Sequence, residues 1–184
     1  MNAMTMFLAF VLLVLAGTMV LFFAMLGQLA ARLPEQSNEP TAQVEPLENA
    51  RLGAESLNWP AELAHLRDRE RALVLVLSSS CASCEQIAAQ VPDALDRGID
   101  FGVVVSCGVR ERGEDFIRRH ELERAKPYLD HGGAWSTGEF NVDSSPAALL
   151  FRNGRLDTAL LFWTLDSALA ATGHLHSAHS AQEA

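Results

Sequence analysis

The feature that most constrains this chain is the apolar run Leu73-Val74-Leu75-Val76-Leu77, which leads through Ser78-Ser79-Ser80 directly into Cys81-Ala82-Ser83-Cys84. A continuous stretch of Val and Leu bounded by polar residues is the pattern of a strand buried on both faces, which requires a sheet covered by helices on each side. After the cysteines, Ile87, Ala88, Val91, Ala94 and Leu95 recur at helical spacing as far as Arg97-Gly98, where glycine is a natural stop. A strand that hands over to a helix at Cys81 sets one sulfur at the helix start and the other one turn in, on the same face. Unpaired N–H groups and the positive end of the helix dipole favour a thiolate at Cys81 and make it the expected attacking thiol. Cys84 is then the expected resolving thiol, and the pair exchanges disulfides with no bound cofactor. Two inert buried cysteines, or half of a metal site, are the competing readings.

The rest of the chain supplies elements for such a sheet. Trp59-Pro60 opens an expected helix with Leu63 and Leu66 on one face and a solvated charged face from His65 to Arg71. Ala72 to Leu77 and Phe101 to Val105 read as buried strands, and Glu111 to Leu122 as a helix with Phe116 and Ile117 inward. Pro92 falls inside the helix that follows the cysteines and should kink it. Lys126 to Val142 is irregular, with room for a short helix near Trp135. Pro146 then precedes the apolar run Ala147 to Phe151, Asn153-Gly154 marks a two-residue hairpin turn, and Leu156 to Trp163 forms the partner strand. Thr164 or Asp166 caps a last helix to about Thr172, and the polar tail 173–184 reads as disordered. Two strands joined through a helix imply a parallel pair and the hairpin an antiparallel one, so the expected architecture is an α/β mixed sheet with helices on both faces.

Composition narrows the function. The net charge is −9, and all 14 basic residues follow position 31 mixed among 23 acids, which leaves no basic face for nucleic acid. Three cysteines are too few for a disulfide framework and one short of a four-thiolate zinc site. Cys107 reads as a small buried residue. His174, His176 and His179 lie on the tail without carboxylate support and read as solvated rather than metal-bound. Of the tryptophans, Trp59, Trp135 and Trp163, the second is expected nearest the reactive surface.

Met6 to Leu26 carries no charged side chain, and at about 1.5 Å per residue it spans a ~30 Å hydrocarbon core. Residues 1–31 therefore read as a transmembrane anchor. A cleaved signal peptide is disfavoured by the length of the run and the absence of Lys or Arg before it. Charge bias does not orient the anchor. Residues 32–58, with Pro34, Pro40, Pro46 and five glutamates, read as a solvated linker, and 59–172 as one domain.

Together, C-x-x-C at a helix start, Pro92 in that helix, Ser145-Pro146 before a strand and the Asn153-Gly154 hairpin resemble the thioredoxin fold over Trp59 to Thr172. In particular they resemble the membrane-anchored TlpA-type proteins and their relatives of the methylamine-utilisation MauD type. The resemblance implies Cys81 and Cys84 as the active-site pair, a cis Ser145-Pro146 bond beside them, and a domain outside the cytoplasmic membrane. It further implies protein substrates met through mixed disulfides, a membrane electron donor, and maturation of an extracytoplasmic enzyme such as methylamine dehydrogenase. Two departures stand out. Ser80 replaces the aromatic usual before the first cysteine, and Leu75, six positions before Cys81, occupies the place of the buried acid that serves proton transfer in many thioredoxins. Glu85 is the nearby acid left to help deprotonate Cys84. A redox-inactive binding module on the same fold, and a metal carrier using the cysteine pair, are the alternative functions.

Overall fold

The computed structural model describes residues 44–173, together with Phe7, Leu12, Leu13 and residues 15–19, which are helical. Among the described residues no helix is long and apolar enough to cross a membrane. Most of the expected span 6–26, the linker up to position 43 and the tail from position 174 lie outside the described residues.

The run Leu73 to Leu77 lies in β2, Arg71–Ser78, with every residue from Ala72 to Leu77 buried. The other strands are β1 (Val44–Pro46), β3 (Gly102–Cys107), β4 (Tyr128–His131), β5 (Ala147–Arg152) and β6 (Arg155–Phe162). They make one six-stranded sheet in the order β1-β6-β5-β2-β3-β4. β2 pairs parallel with β3 and antiparallel with β5, so the sheet is mixed, as the connections imply. Side chains alternate across β2. Leu73, Leu75 and Leu77 enter one core cluster, and Ala72, Val74 and Val76 enter the other.

The helices divide between the two faces. On the first lie α1 (Ala82–Ala88), α2 (Val91–Asp96), α3 (Arg110–Arg119) and α5 (Leu165–Ala171), contributing Ile87, Val91, Phe116 and Leu165 to a mainly aliphatic core. On the second lies α4 (Ser136–Phe140), with Trp135, Phe140 and Phe151 in an aromatic core. Thr164 caps α5 through a reciprocal pair of hydrogen bonds with Ser167. Asn153 and Gly154 both take positive φ, 51° and 78°, as a two-residue hairpin turn demands.

Four expectations are corrected. The helix after Trp59-Pro60 is a turn ending in a single 3-10 turn, Ala64–Leu66. Its two anchors, Leu63 and Leu66, are three residues apart and the charged residues beyond them offer no third. They press on Gly102 of β3, where an added Cβ would stand 2.7 Å from Leu66 and 2.8 Å from Leu63, so a side chain at that strand position would force both leucines to shift. The helix after the cysteines is two helices, broken at Ala89-Gln90, and Pro92 sits in the first turn of the second, where its missing N–H is harmless. From Val44 onward the segment read as a solvated linker belongs to the sheet. β1 pairs with β6, Leu47, Ala50 and Ala54 pack on the aromatic core, and Glu55 bridges to Arg155. Finally, Lys126 to Val142 contains β4, hydrogen-bonded to β3, besides the short helix.

The turn from β4 into α4 is held by Asp130, a fully buried carboxylate. Its oxygens accept from Trp135 N–H at 3.0 Å, Ser136 N–H at 2.9 Å and the Ser136 hydroxyl at 2.7 Å. Asp130→Ala would leave two buried N–H groups without an acceptor. The expected result is a loss of about 2–3 kcal/mol, read as a lower urea midpoint at unchanged slope.

Candidate functional site

Beyond β2 the backbone turns sharply. Cys81 N–H donates to Ser78 O at 3.2 Å and Ser79 N–H to Ser106 O at 3.0 Å, which ties the exit of β2 to that of β3. The Ser78 and Ser80 hydroxyls lie 3.1 Å apart and Ser80 N–H donates to Ser78 Oγ at 3.3 Å. Serines thus close by hydrogen bonding the turn into the helix. The turn lies at the carboxyl end of β2, where the chain has strands β3 and β4 on one side and β5 and β6 on the other. Such a reversal point is where open α/β sheets leave a crevice.

Cys81 is the N-cap of α1, with extended backbone at φ −108° and ψ 119°. Its Sγ accepts the Cys84 N–H at 3.2 Å, the part a Ser or Asp oxygen plays in an ordinary cap. The Ser83 hydroxyl lies 3.0 Å from the same sulfur, and the Cys81 thiol reaches the Ser145 carbonyl at 3.7 Å. The Ser145-Pro146 bond is cis, as the resemblance implied. Both cysteines are free thiols in this structure.

The two sulfurs differ in environment. Partial burial pushes the Cys81 thiol up, but hydrogen bonding with Cys84 and Ser83 outweighs it and leaves Cys81 below the ordinary cysteine value. Cys84 is fully buried in the aliphatic core beside Leu75 and Ile87. Burial first, and then hydrogen bonding to Cys81, push it up to about 12. A half-exposed stabilised sulfur next to an enclosed protonated one can attack a disulfide from outside and be resolved from inside.

Among the described residues no acid stands in the aliphatic core that holds Cys84. Leu75 is fully buried in it, where an acidic side chain would otherwise point. Glu85 pairs with Arg119 of α3 at 2.8 Å and is not among the groups that act on Cys84, so the expected proton acceptor is occupied at the surface. Cys107, buried at the end of β3, is pushed up by burial, and an added Cβ on Gly113 would lie 3.0 Å from its sulfur. It is a packing residue of the α3 contact. Among the described residues no group of three or more His, Cys, Asp or Glu is placed to hold a metal ion.

Trp135 does not approach this site. It is 3% exposed in the aromatic core on the other face of the sheet, and its indole N–H donates to Ser56 at 3.1 Å. The aromatic at the reactive end is Trp163. Phe162 N–H donates to Pro146 O at 3.4 Å, and the Ala147–Leu161 register carries Trp163 opposite Ser145. The hairpin turn alone could not have located it, because a bulge between Leu150 and Phe151 shifts the register by one residue on the way from Asn153-Gly154 to this end of the sheet.

No protein-family model matches the chain, and no curated protein matches its sequence. Solved structures do. A protein assigned as the thiol:disulfide interchange protein DsbE of Chlorobium tepidum aligns over 69% of this chain and 96% of its own, with 15% identity and a TM-score of 0.50. A thiol-disulfide isomerase from Corynebacterium glutamicum aligns over 69% and 92%, with 19% identity and a TM-score of 0.43. StoA from Bacillus subtilis aligns over 58% and 82%, with 16% identity and a TM-score of 0.43. What is shared at this distance is architecture, and residues 44–173 have a thioredoxin-like α/β fold with the cysteine pair at the carboxyl end of its central strand.

Proposed function

We propose that this protein is a thiol-disulfide oxidoreductase in which Cys81 is the nucleophile and Cys84 the resolving thiol. The observation that carries the reading is the asymmetry of the two sulfurs. Cys81 is half-buried, accepts the Cys84 N–H and is lowered, whereas Cys84 is enclosed and raised. In the reducing direction the Cys81 thiolate attacks one sulfur of a substrate disulfide, the S–S bond breaks, and the departing thiolate takes a proton. Cys84, losing its proton to solvent or to the substrate, attacks Cys81 Sγ, closes the intramolecular disulfide and releases the second substrate thiol. Two electrons pass from the pair to the substrate, and the reverse sequence oxidises a substrate dithiol. Ser145 and cis Pro146 border the attacked sulfur on the side of β5.

The apolar run Met6 to Leu26 and the acidic, proline-containing stretch after it support a membrane tether, and C-x-x-C with Ser145-Pro146 supports the TlpA-type and MauD-type likeness. On that likeness the domain lies outside the cytoplasm, meets protein substrates through mixed disulfides, draws on a membrane electron donor and serves the maturation of an extracytoplasmic enzyme such as methylamine dehydrogenase.

Cys84→Ser is expected to accumulate covalent adducts with substrate proteins, seen as thiol-sensitive bands on non-reducing gels, while Cys81→Ser yields none. Adducts in neither variant would overturn the reading. A membrane-impermeant maleimide applied to intact cells should label Cys81; labelling only after lysis would place the domain inside. Alkylation of Cys81 should rise with pH and level off below the range of an ordinary cysteine, because the folded site favours the thiolate. Ser83→Ala removes one donor and should move that midpoint upward. Cys84 in Cys81→Ser should react more than about a hundredfold slower at neutral pH, where an enclosed thiol holds almost no thiolate.

A further inference from the structure

One enclosed titratable group takes no part in the cysteine chemistry. His120 closes α3 as its C-cap, and its ring lies 4.8 Å, centroid to centroid, from the ring of Phe116 one turn earlier. The residue as a whole is half-buried, but its Nε2 is shielded from water, and among the described residues no donor or acceptor meets it. Phe116 is fully buried in the cluster that also holds Cys84, Ile87 and Ala88 of α1. Glu85 and Arg119, 2.8 Å apart, join the same two helices.

The backbone at this helix end is strained. Glu121, directly after His120, takes φ 53° and ψ 36°, the left-handed region that favours glycine. The seat of His120 on Phe116 therefore holds a helix end that its own backbone does not favour. In a neutral ring Nε2 can stay a bare acceptor, whereas the charged ring must carry a proton there, a donor with no acceptor in reach.

Enclosure first, and then Arg119, favour the neutral ring, while Glu85 of α1 and the end of the helix dipole favour the charged one. The first pair prevails and holds His120 below the ordinary histidine value. Other charges on the packed elements are engaged elsewhere. Arg118 pairs with Asp115, and Arg124 of the 3-10 turn Leu122–Ala125 pairs with Asp96 at 2.6 Å. Glu121 and Glu123, and Cys107, Tyr128, Asp130 and His131 of β3 and β4, are not among the groups that act on the ring.

We propose that His120 is an acid-sensitive latch: while neutral it seats the end of α3 on Phe116, and on taking a proton it leaves that seat and loosens α3 against α1, the helix that carries the cysteine pair. The latch acts on the enclosure of Cys84 and does not require that the cysteines react with a substrate. Its direction follows from linkage. A released ring binds its proton near pH 6.5 and a seated ring only at lower pH, so the contact is fully held above 6.5 and is lost as the pH falls below it.

The test is amide hydrogen exchange on the full chain in its dithiol form, corrected at each pH for the intrinsic rate. From pH 7.5 to 5.5 protection in α1 and in the last turn of α3 is expected to fall about tenfold, the most that one proton bound near pH 6.5 can give. Protection of β2 and β3 should stay level. His120→Phe keeps a ring on Phe116 without the proton and should remove the fall, and His120→Gln should do the same. Protection that does not change with pH in the wild type, an equal fall in either variant, or a fall shared equally by β2 would each overturn the latch. Nuclear magnetic resonance of the wild type supplies a check that needs no variant: His120 should titrate below pH 6.5, and titration at or above it would overturn the inference. Trapping of substrate by Cys84→Ser is independent of every one of these outcomes.

Discussion

Six consecutive residues of β2, Ala72 to Leu77, have at most 2% of their surface exposed, and a strand enclosed on both faces and both edges holds its carboxyl end at a fixed place. The difference between the two sulfurs follows from that placement. Cys81 occupies the first position past the turn and stays at the rim, while Cys84, one helical turn further, is carried down into the aliphatic cluster with Leu75 and Ile87. Helix start and core packing then act in opposite directions on two identical side chains. The same turn supplies the N–H that stabilises Cys81 and the enclosure that keeps Cys84 protonated.

Where sequence and structure agree, the signal was carried by near neighbours in the chain. The Leu73 to Leu77 run, the C-x-x-C helix start and the Asn153-Gly154 turn each specify local geometry, and each stands where periodicity and turn chemistry set it. The misses share another cause. β1 is three residues at a sheet edge and includes Pro46, which an edge position tolerates and which a composition argument assigns to a linker. β4 buries Asp130 rather than an apolar residue, so alternation could not reveal it. The place of Trp135 is set by Asp130 and Ser56, contacts that depend on the finished fold.

The same contrast holds within the site. Cys81, Cys84, Ser145 and Pro146 come together as the spacing and the family likeness implied. Glu85 does not join them, because an exposed carboxylate on the first turn of α1 finds Arg119 on the neighbouring α3. That choice of partner is tertiary. With Leu75 in the aliphatic cluster that holds Cys84, the pair is tuned by burial, hydroxyls and backbone groups rather than by a buried carboxylate.

The separation of aromatic from aliphatic packing also has an optical consequence. Trp59 and Trp135 stack edge to face with each other and with Phe140 and Phe151 on the face of the sheet opposite Cys84. A packed, asymmetric setting of this kind is what gives an indole near-ultraviolet dichroism, so that band is expected to report the integrity of the fold. Trp163, half in water, is expected to emit to the red of the two buried indoles. Two indoles thus follow unfolding and one follows events at the surface, within a single chain and without an added label.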